Sequence, residues 1–312
     1  MDKNRKKRKR KRKTEKQQRK VSKMPNVRKP EWLRIGKVQR EEIKQVQKLM
    51  RELNLHTVCE ESMCPNIGKC FVNKTATFLV MGNVCTRNCK FCDITTGKPQ
   101  PLDPMEPKHI VEAAKKLNLK HVVVTSVTRD DLTDGGAAHF AEITRKLREY
   151  KEDLIIELLI PDMKGKEESI KTIIEAKPNI INHNVEVVPR LYKKVTPQAN
   201  YEISLKVLKM VKEYSKKILT KSGIMVGLGE TKEEVIKLLK DLRKVDCDIL
   251  TIGQYLKPPS SNLEIEEYVH PDTFKEYEKI GYELGFKFVA SAPFVRSSFN
   301  AKEADFLLAK EV

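Results

Sequence analysis

The sequence predicts an α/β fold, a partial TIM-type (β/α)6 barrel of parallel strands, with N- and C-terminal extensions covering the barrel mouth. Three observations carry this. Near-continuous apolar strands alternate with amphipathic helices, the pattern of a parallel sheet covered by helices. The βα unit repeats about six times, which favours a barrel over a doubly wound sheet. No G-x-G-x-x-G follows a strand, which weakens a dinucleotide-binding alternative.

The elements follow in order. Residues 41–53 read as a helix with Ile43, Val46, Gln47 and Met50 on one face. Residues 75–81 (TATFLVM) read as the first strand, and 107–117 as a helix with Ile110, Val111, Ala114 and Leu117 on one side. The run 121–127 (HVVVTSV) is a strand. Helix 137–150 turns Phe140, Ile143 and Leu147 inward and carries a Glu142–Lys146 pair outward. Strand 154–160, helix 167–176, strand 180–185 and helix 201–214 come next, then strand 217–226. Thr231 and Glu234 form a capping box that opens helix 232–244. Strand 249–255, helix 271–284 and strand 286–291 complete the barrel.

Domain organisation follows from composition. Residues 1–26 are a basic tail, 27–74 an N-terminal extension and 75–312 the barrel with its C-terminal segment. Residues 1–20 hold 13 Lys and Arg against Asp2 and Glu15, so the tail carries +11 of the chain's +18 and the remainder +7. With almost no apolar residue the tail cannot pack, and disorder is expected. It lacks the apolar stretch of a signal peptide and the Ser/Arg pattern of a transit peptide. Weak, non-specific affinity for nucleic acid or anionic surfaces is its expected property. No apolar run is long enough to cross a membrane.

Six of the seven cysteines lie between Cys59 and Cys92, in two triplets: Cys59-x4-Cys64-x5-Cys70 and Cys85-x3-Cys89-x2-Cys92. Thiolates this dense point to metal or redox chemistry. A disulfide framework fits poorly, because such scaffolds are short, secreted and poor in core. Structural zinc is a better rival, but closed zinc sites take four ligands, and each run stops at three with only His56 nearby. A closed electron-transfer cluster also takes four thiolates. Three ligands plus one open iron is the simplest account of the second triplet, and an open iron lets substrate bind. Its spacing resembles that of the radical S-adenosylmethionine (SAM) enzymes, in which three cysteines hold a [4Fe–4S] cluster. The triplet begins four residues after the first strand, at the C-terminal end where barrel chemistry sits. Thr125, Ser126, Glu157, Asn182, His183, Asn184 and Gln254 are expected to ring the same mouth. Clustered, reduced cysteines suit a cytoplasmic, low-oxygen setting.

From about Val27 to its end the chain resembles the lipoyl synthase family of radical SAM sulfur-insertion enzymes. The resemblance rests on C-E-E-S-M-C-P-N-I-G-K-C (59–70), C-T-R-N-C-K-F-C (85–92), V-T-S-V-T-R-D-D-L-T-D-G-G-A (124–137), H-N-V-E-V-V-P-R-L-Y (183–192), K-S-G-I-M-V-G-L-G-E (221–230), T-I-G-Q-Y-L (251–256) and V-R-S-S-F (295–299). It implies that Cys85, Cys89 and Cys92 hold the SAM-cleaving cluster, with Phe91 beside adenine. It implies a second, auxiliary [4Fe–4S] cluster on Cys59, Cys64, Cys70 and a serine of the Arg-Ser-Ser segment, assigned to Ser298 ahead of Ser297. A serine oxygen is a poor iron ligand, so that corner can open and sulfide can leave. Phe299 stands where the family usually has Tyr, and Thr128 where it usually has Asp; neither change removes a ligand.

The resemblance further implies two sulfur insertions, at C6 and C8 of an octanoyl chain on a lysine of a lipoyl carrier protein or domain. An external electron donor and a cluster-repair protein are the implied partners. No side-chain general base is needed, which fits the lack of a Ser/His or His/Asp constellation. Two alternatives stand beside this reading. One is another two-cluster radical SAM enzyme, a biotin-synthase-like sulfur inserter or a methylthiotransferase. The other is a non-enzymatic iron–sulfur electron carrier or a zinc protein whose basic tail binds nucleic acid. Of the remaining residues, Cys247 reads as a small core or near-surface residue and Trp32 with 33–38 as packing. Gly135-Gly136 could serve a turn or an approach to SAM, and Arg190 could meet a carboxylate or form a surface ion pair.

Overall fold

A computed structural model describes residues 29–34, 40–62, 64, 66–72, 77–298 and 305–309. The tail 1–26, the segment 35–39 and Phe299 lie outside the described residues. The chain separates into two compact units, 1–34 and 35–312. The first contributes a 3-10 turn over Glu31–Leu33.

In the second unit helix α1 (Arg40–Glu52) leads to β1 (His56–Thr57) and the short helices α2 (Val58–Glu61) and α3 (Ile67–Val72). Strand β2 (Thr77–Val80) precedes a loop that contains the paired strands β3 (Val84–Cys85) and β4 (Thr95–Thr96). The alternation continues through α4 (Glu106–Lys116), β5 (His121–Ser126), α5 (Ala137–Tyr150), β6 (Ile155–Leu159), α6 (Glu167–Glu175) and β7 (Ile180–Asn182). It ends with α7 (Tyr192–Val195), α8 (Tyr201–Tyr214), β8 (Leu219–Val226), α9 (Lys232–Lys244), β9 (Ile249–Gln254), α10 (Pro271–Glu283), β10 (Phe288–Ser291) and α11 (Phe306–Ala309).

The main sheet runs β1-β2-β5-β6-β7-β8-β9-β10. Strand β1 is antiparallel to β2, and every other neighbour pair is parallel. Edges β1 and β10 are not joined, so the barrel is partial, as the βα repeat predicts. Local sequence caps the starts of two of the long helices. Asn200 Oδ1 accepts the Ile203 N–H at 3.0 Å ahead of α8. Thr231 and Glu234 form the expected capping box of α9. The Gly135-Gly136 pair serves a tight turn. Gly136 caps α5 at φ +92°, and a Cβ there would lie 2.3 Å from the Met81 sulfur. Phe140, Ile143 and Leu147 are fully buried against the sheet, each contributing about 1.5–3 kcal/mol by leaving water. Cys247 is a core residue, and Arg190 forms an exposed ion pair with Glu234 at 2.7 Å.

The barrel interior has a charged floor. Lys221 Nζ donates to both oxygens of Glu157 at 2.9 and 3.1 Å, and Asn182 Nδ2 donates to Glu157 Oε1 at 3.0 Å. His121 Nε2 lies 3.5 Å from Glu157 Oε2, an ion-pair contact short of a well-aligned hydrogen bond. His121 Nδ1 meets Asp305 at 2.7 Å. Leu307 and Leu308 pack on Ile180, Leu219 and Ile249, at the starts of β7, β8 and β9. Helix α11 and Asp305 therefore cover the floor end of the barrel. Here the structure corrects an expectation. Glu157 and Asn182 belong to this inner floor, and Gln254 bonds Glu267 O and the Val269 N–H, so none of the three lines the mouth.

Burial alone would raise Glu157, but Lys221 and His121 outweigh it and hold the carboxyl at about 2. Lys221→Met is expected to cost about 3–5 kcal/mol in denaturant unfolding, because it takes the principal cation from a buried carboxylate. The double change Lys221→Met/Glu157→Leu should recover most of that loss. Burial pulls His121 down, yet Asp305 and Glu157 raise it above its ordinary value. A raised histidine stabilises the fold below its unfolded pKa, about 6.5, and that stability disappears as pH rises through the folded value. Denaturation midpoints should fall across that window, and Asp305→Asn should flatten the fall.

Candidate active site

The Cys85–Cys92 loop springs from β2 through Met81 (φ +66°) and Gly82 (φ +87°). Glu106 pins this origin by accepting the Met81 N–H at 2.9 Å, and His139 Nε2 holds Glu106 at 2.6 Å. Cys85, Cys89, Cys92 and Phe91 line an open cleft of about 970 Å³ at the C-terminal strand ends. Thr125, Ser126, His183, Asn184 and Glu186 line the same cleft, and Leu79, Ile94, Val127, Leu159 and Ile160 make much of the lining apolar. Burial pushes the Cys89 thiol to about 12 and the Cys92 thiol to about 11. Cys85 Sγ accepts N–H groups from Arg87 at 3.4 Å and Thr128 at 3.3 Å.

Polar atoms without protein partners crowd this cleft. Ser126 Oγ, His183 Nε2 and Asn184 Oδ1 are buried with no hydrogen bond among the described residues. His183 Nδ1 donates to Ile160 O at 2.9 Å, which leaves Nε2 as an acceptor, and burial keeps the ring below its ordinary value. Glu186 sits at φ +64°, where it is bridged to Ile224 of β8, and burial raises its carboxyl to about 7. Backbone strain in a cleft wall of this kind is a mark of functional sites.

The first triplet lies in the N-terminal extension. Cys59 is on α2, which Thr57 Oγ1 caps by accepting the Glu60 N–H, and Cys70 is on α3. The Cys64 N–H donates to Cys59 O at 3.1 Å. Burial pushes the Cys59 thiol to about 12, with Cys64 and Cys70 close enough to add to the rise. The C-terminal segment comes to this triplet. Asn66 Nδ2 donates to Phe294 O at 2.8 Å, and the Arg296 guanidinium lies near Cys64. Asn184 Nδ2 donates to Ser297 Oγ at 3.0 Å, which joins the segment to the cleft wall. Ser298 follows, half-buried. Gly253 of β9 permits this approach, since a Cβ there would lie 2.1 Å from Val295 O.

The donor set suits iron–sulfur chemistry. All seven cysteines are free of disulfides, and the two triplets are half-buried to buried. A thiol raised this far stays protonated at neutral pH until a bound cation draws off its proton. Among the described residues, no three Cys, His, Asp or Glu side chains converge as ligands of a single ion. In a cluster each thiolate binds a different iron, so its ligands stand wider apart than a single-ion shell.

The radical SAM superfamily model matches residues 79–242. A lipoyl synthase of Caldanaerobacter subterraneus subsp. tengcongensis is 57% identical over 275 residues, 88% of this chain and 96% of its own length. The chain belongs to the lipoyl synthase family. A second family member, from Caldicellulosiruptor saccharolyticus, is 55% identical over 280 residues, 90% of this chain and 98% of its own. Methylornithine synthase (PylB) shares the fold at TM-score 0.51 and 15% identity, covering 81% of this chain and 85% of its own. Family membership makes the chain a radical SAM enzyme, a transferase of lipoate biosynthesis that uses SAM and a [4Fe–4S] cluster. Among the described residues no helix is long and apolar enough to cross a membrane.

Sequence reasoning missed Arg87, Asp130 and Asp162, which form an ionic clamp on the cysteine loop, and missed Glu186 and Arg296 as site residues. A basic residue set between cysteines, with one acidic residue just past each of two strand ends, was the available signal.

Proposed function

We propose that this enzyme inserts two sulfur atoms, at C6 and C8 of an octanoyl group on a lysine of lipoyl carrier domains, to give lipoyl. In this reading Cys85, Cys89 and Cys92 hold the SAM-cleaving cluster. Cys59, Cys64, Cys70 and Ser298 hold an auxiliary [4Fe–4S] cluster, which is the sulfur source and so a substrate. When bound, the cluster on Cys85, Cys89 and Cys92 would supply the electron that splits SAM and yields a carbon radical.

One observation carries the reading most. The Arg-Ser-Ser segment lies beside the first triplet through Arg296 and against the cleft of the second through Ser297. This supports a reading in which the segment serves both three-cysteine sites and one of its hydroxyls completes the first.

The protein's own part is binding, orientation and exclusion of water. Phe91 offers an aromatic face for adenine. Ser126, His183, Asn184 and Glu186 offer the polar atoms that fix the rest of SAM. The apolar lining suits a saturated acyl chain, which has no polar group to hold. An external electron donor, a cluster-repair protein and a cytoplasmic setting complete the proposal. The basic tail adds at most salt-sensitive affinity for nucleic acid.

Iron and sulfide counts on anaerobically purified protein test the ligand sets. Wild type should hold two [4Fe–4S] equivalents, and Cys64→Ala and Cys89→Ala about one each. Two full equivalents in Cys64→Ala would remove the first triplet from the proposal.

A further inference from the structure

Arg87 lies between two cysteines of the second triplet, and its guanidinium is almost fully buried. It grips two carboxylates at once. Nε and Nη2 donate to Asp130 at 2.7 and 2.9 Å, while Nη1 and Nη2 donate to Asp162 at 2.7 and 2.8 Å. Asp130 follows β5 and Asp162 follows β6, so one side chain ties the loop to two adjacent strand ends. Neighbouring contacts reinforce the tie. The Thr86 N–H and hydroxyl both donate to Thr128 O, and the Asp130 N–H donates to Thr86 Oγ1 at 3.0 Å. This stapling holds the Arg87 and Thr128 N–H groups on the Cys85 sulfur.

We propose that Arg87, clamped by Asp130 and Asp162, is a positioning residue that keeps these two N–H groups on Cys85 and so sets how readily the SAM-cleaving cluster is reduced. The proposal rests on Cys85 as a cluster ligand. Hydrogen bonds to cluster sulfurs stabilise the reduced, more negative state and raise the potential. Loosening the clamp lets the N–H groups drift and makes reduction harder. Lysine cannot replace this arginine, because a point charge makes neither fork.

The test is a redox titration followed by electron paramagnetic resonance, in a Cys64→Ala background that leaves the second triplet intact. Arg87→Lys and Asp162→Asn should retain one cluster of iron, yet show a reduction constant at least about tenfold less favourable, 59 mV for one electron. In the cluster-free protein, amide exchange across 85–92 should be at least about tenfold faster in both variants. Asp130→Asn keeps the fork to Asp162, the more buried of the two carboxylates, and should give smaller shifts in the same direction, which serves if Arg87→Lys folds poorly. Wild-type potential and wild-type exchange in Arg87→Lys would overturn the clamp. Cys85→Ala separates this from the underlying assignment: if that variant keeps its cluster, the ligand reading fails instead.

Discussion

Cys89→Ala is expected to abolish formation of 5′-deoxyadenosine, while Cys64→Ala still forms it and inserts no sulfur. The asymmetry follows from the two sites. Cys89 lines the cleft with Phe91 and the partnerless polar atoms, which together offer room and acceptors for SAM. Cys64 lies outside that cleft, in the N-terminal extension beside Arg296. Product analysis by chromatography on anaerobic reactions decides the matter. The reverse pattern, with cleavage lost in Cys64→Ala and kept in Cys89→Ala, would exchange the two assignments. Equal loss in both would point to a folding defect, because bound clusters also stabilise the fold that holds them.

Ser298→Cys should keep near-normal iron content and SAM cleavage, yet lower sulfur transfer at least about a hundredfold, or about 2.7 kcal/mol of barrier. A thiolate would hold the fourth iron too firmly for the corner to open. Ser298→Ala should also lose transfer, because the iron then lacks a protein ligand. The segment bearing Ser298 is anchored on both triplets' sides, by Asn66 to Phe294 and by Asn184 to Ser297. The Ser297 hydroxyl already accepts from Asn184, which leaves Ser298 as the better candidate ligand. If both variants insert two sulfurs at close to the wild-type rate, Ser298 leaves the site and Ser297 takes the same test.

Much of the fold is legible in the sequence because strand and helix periods state it locally. The strands β5, β6, β8 and β9 and the helices between them fall within a few residues of expectation, and the α9 capping box is read directly from Thr231 and Glu234. Depth inside the barrel is not legible in the same way. Period two says that Glu157 and Asn182 face inward, but only register against Ile180 and Lys221 puts them in the floor. The docking of Asp305 on His121 is likewise a contact across 184 residues. The cysteine triplets could be read because their spacing is short-range. The clamp on Arg87 was signalled only by residue type, because its partners come from two other strand ends.

The measurement that bears most directly on this account is mass spectrometry of an octanoyl-lysyl peptide incubated anaerobically with the reconstituted enzyme, SAM and reductant. The account predicts a product that gains two sulfur atoms, preceded by a one-sulfur intermediate, and neither species when Cys64 is replaced by Ala. An unchanged peptide alongside active SAM cleavage by the wild-type enzyme, with both clusters present, would contradict it.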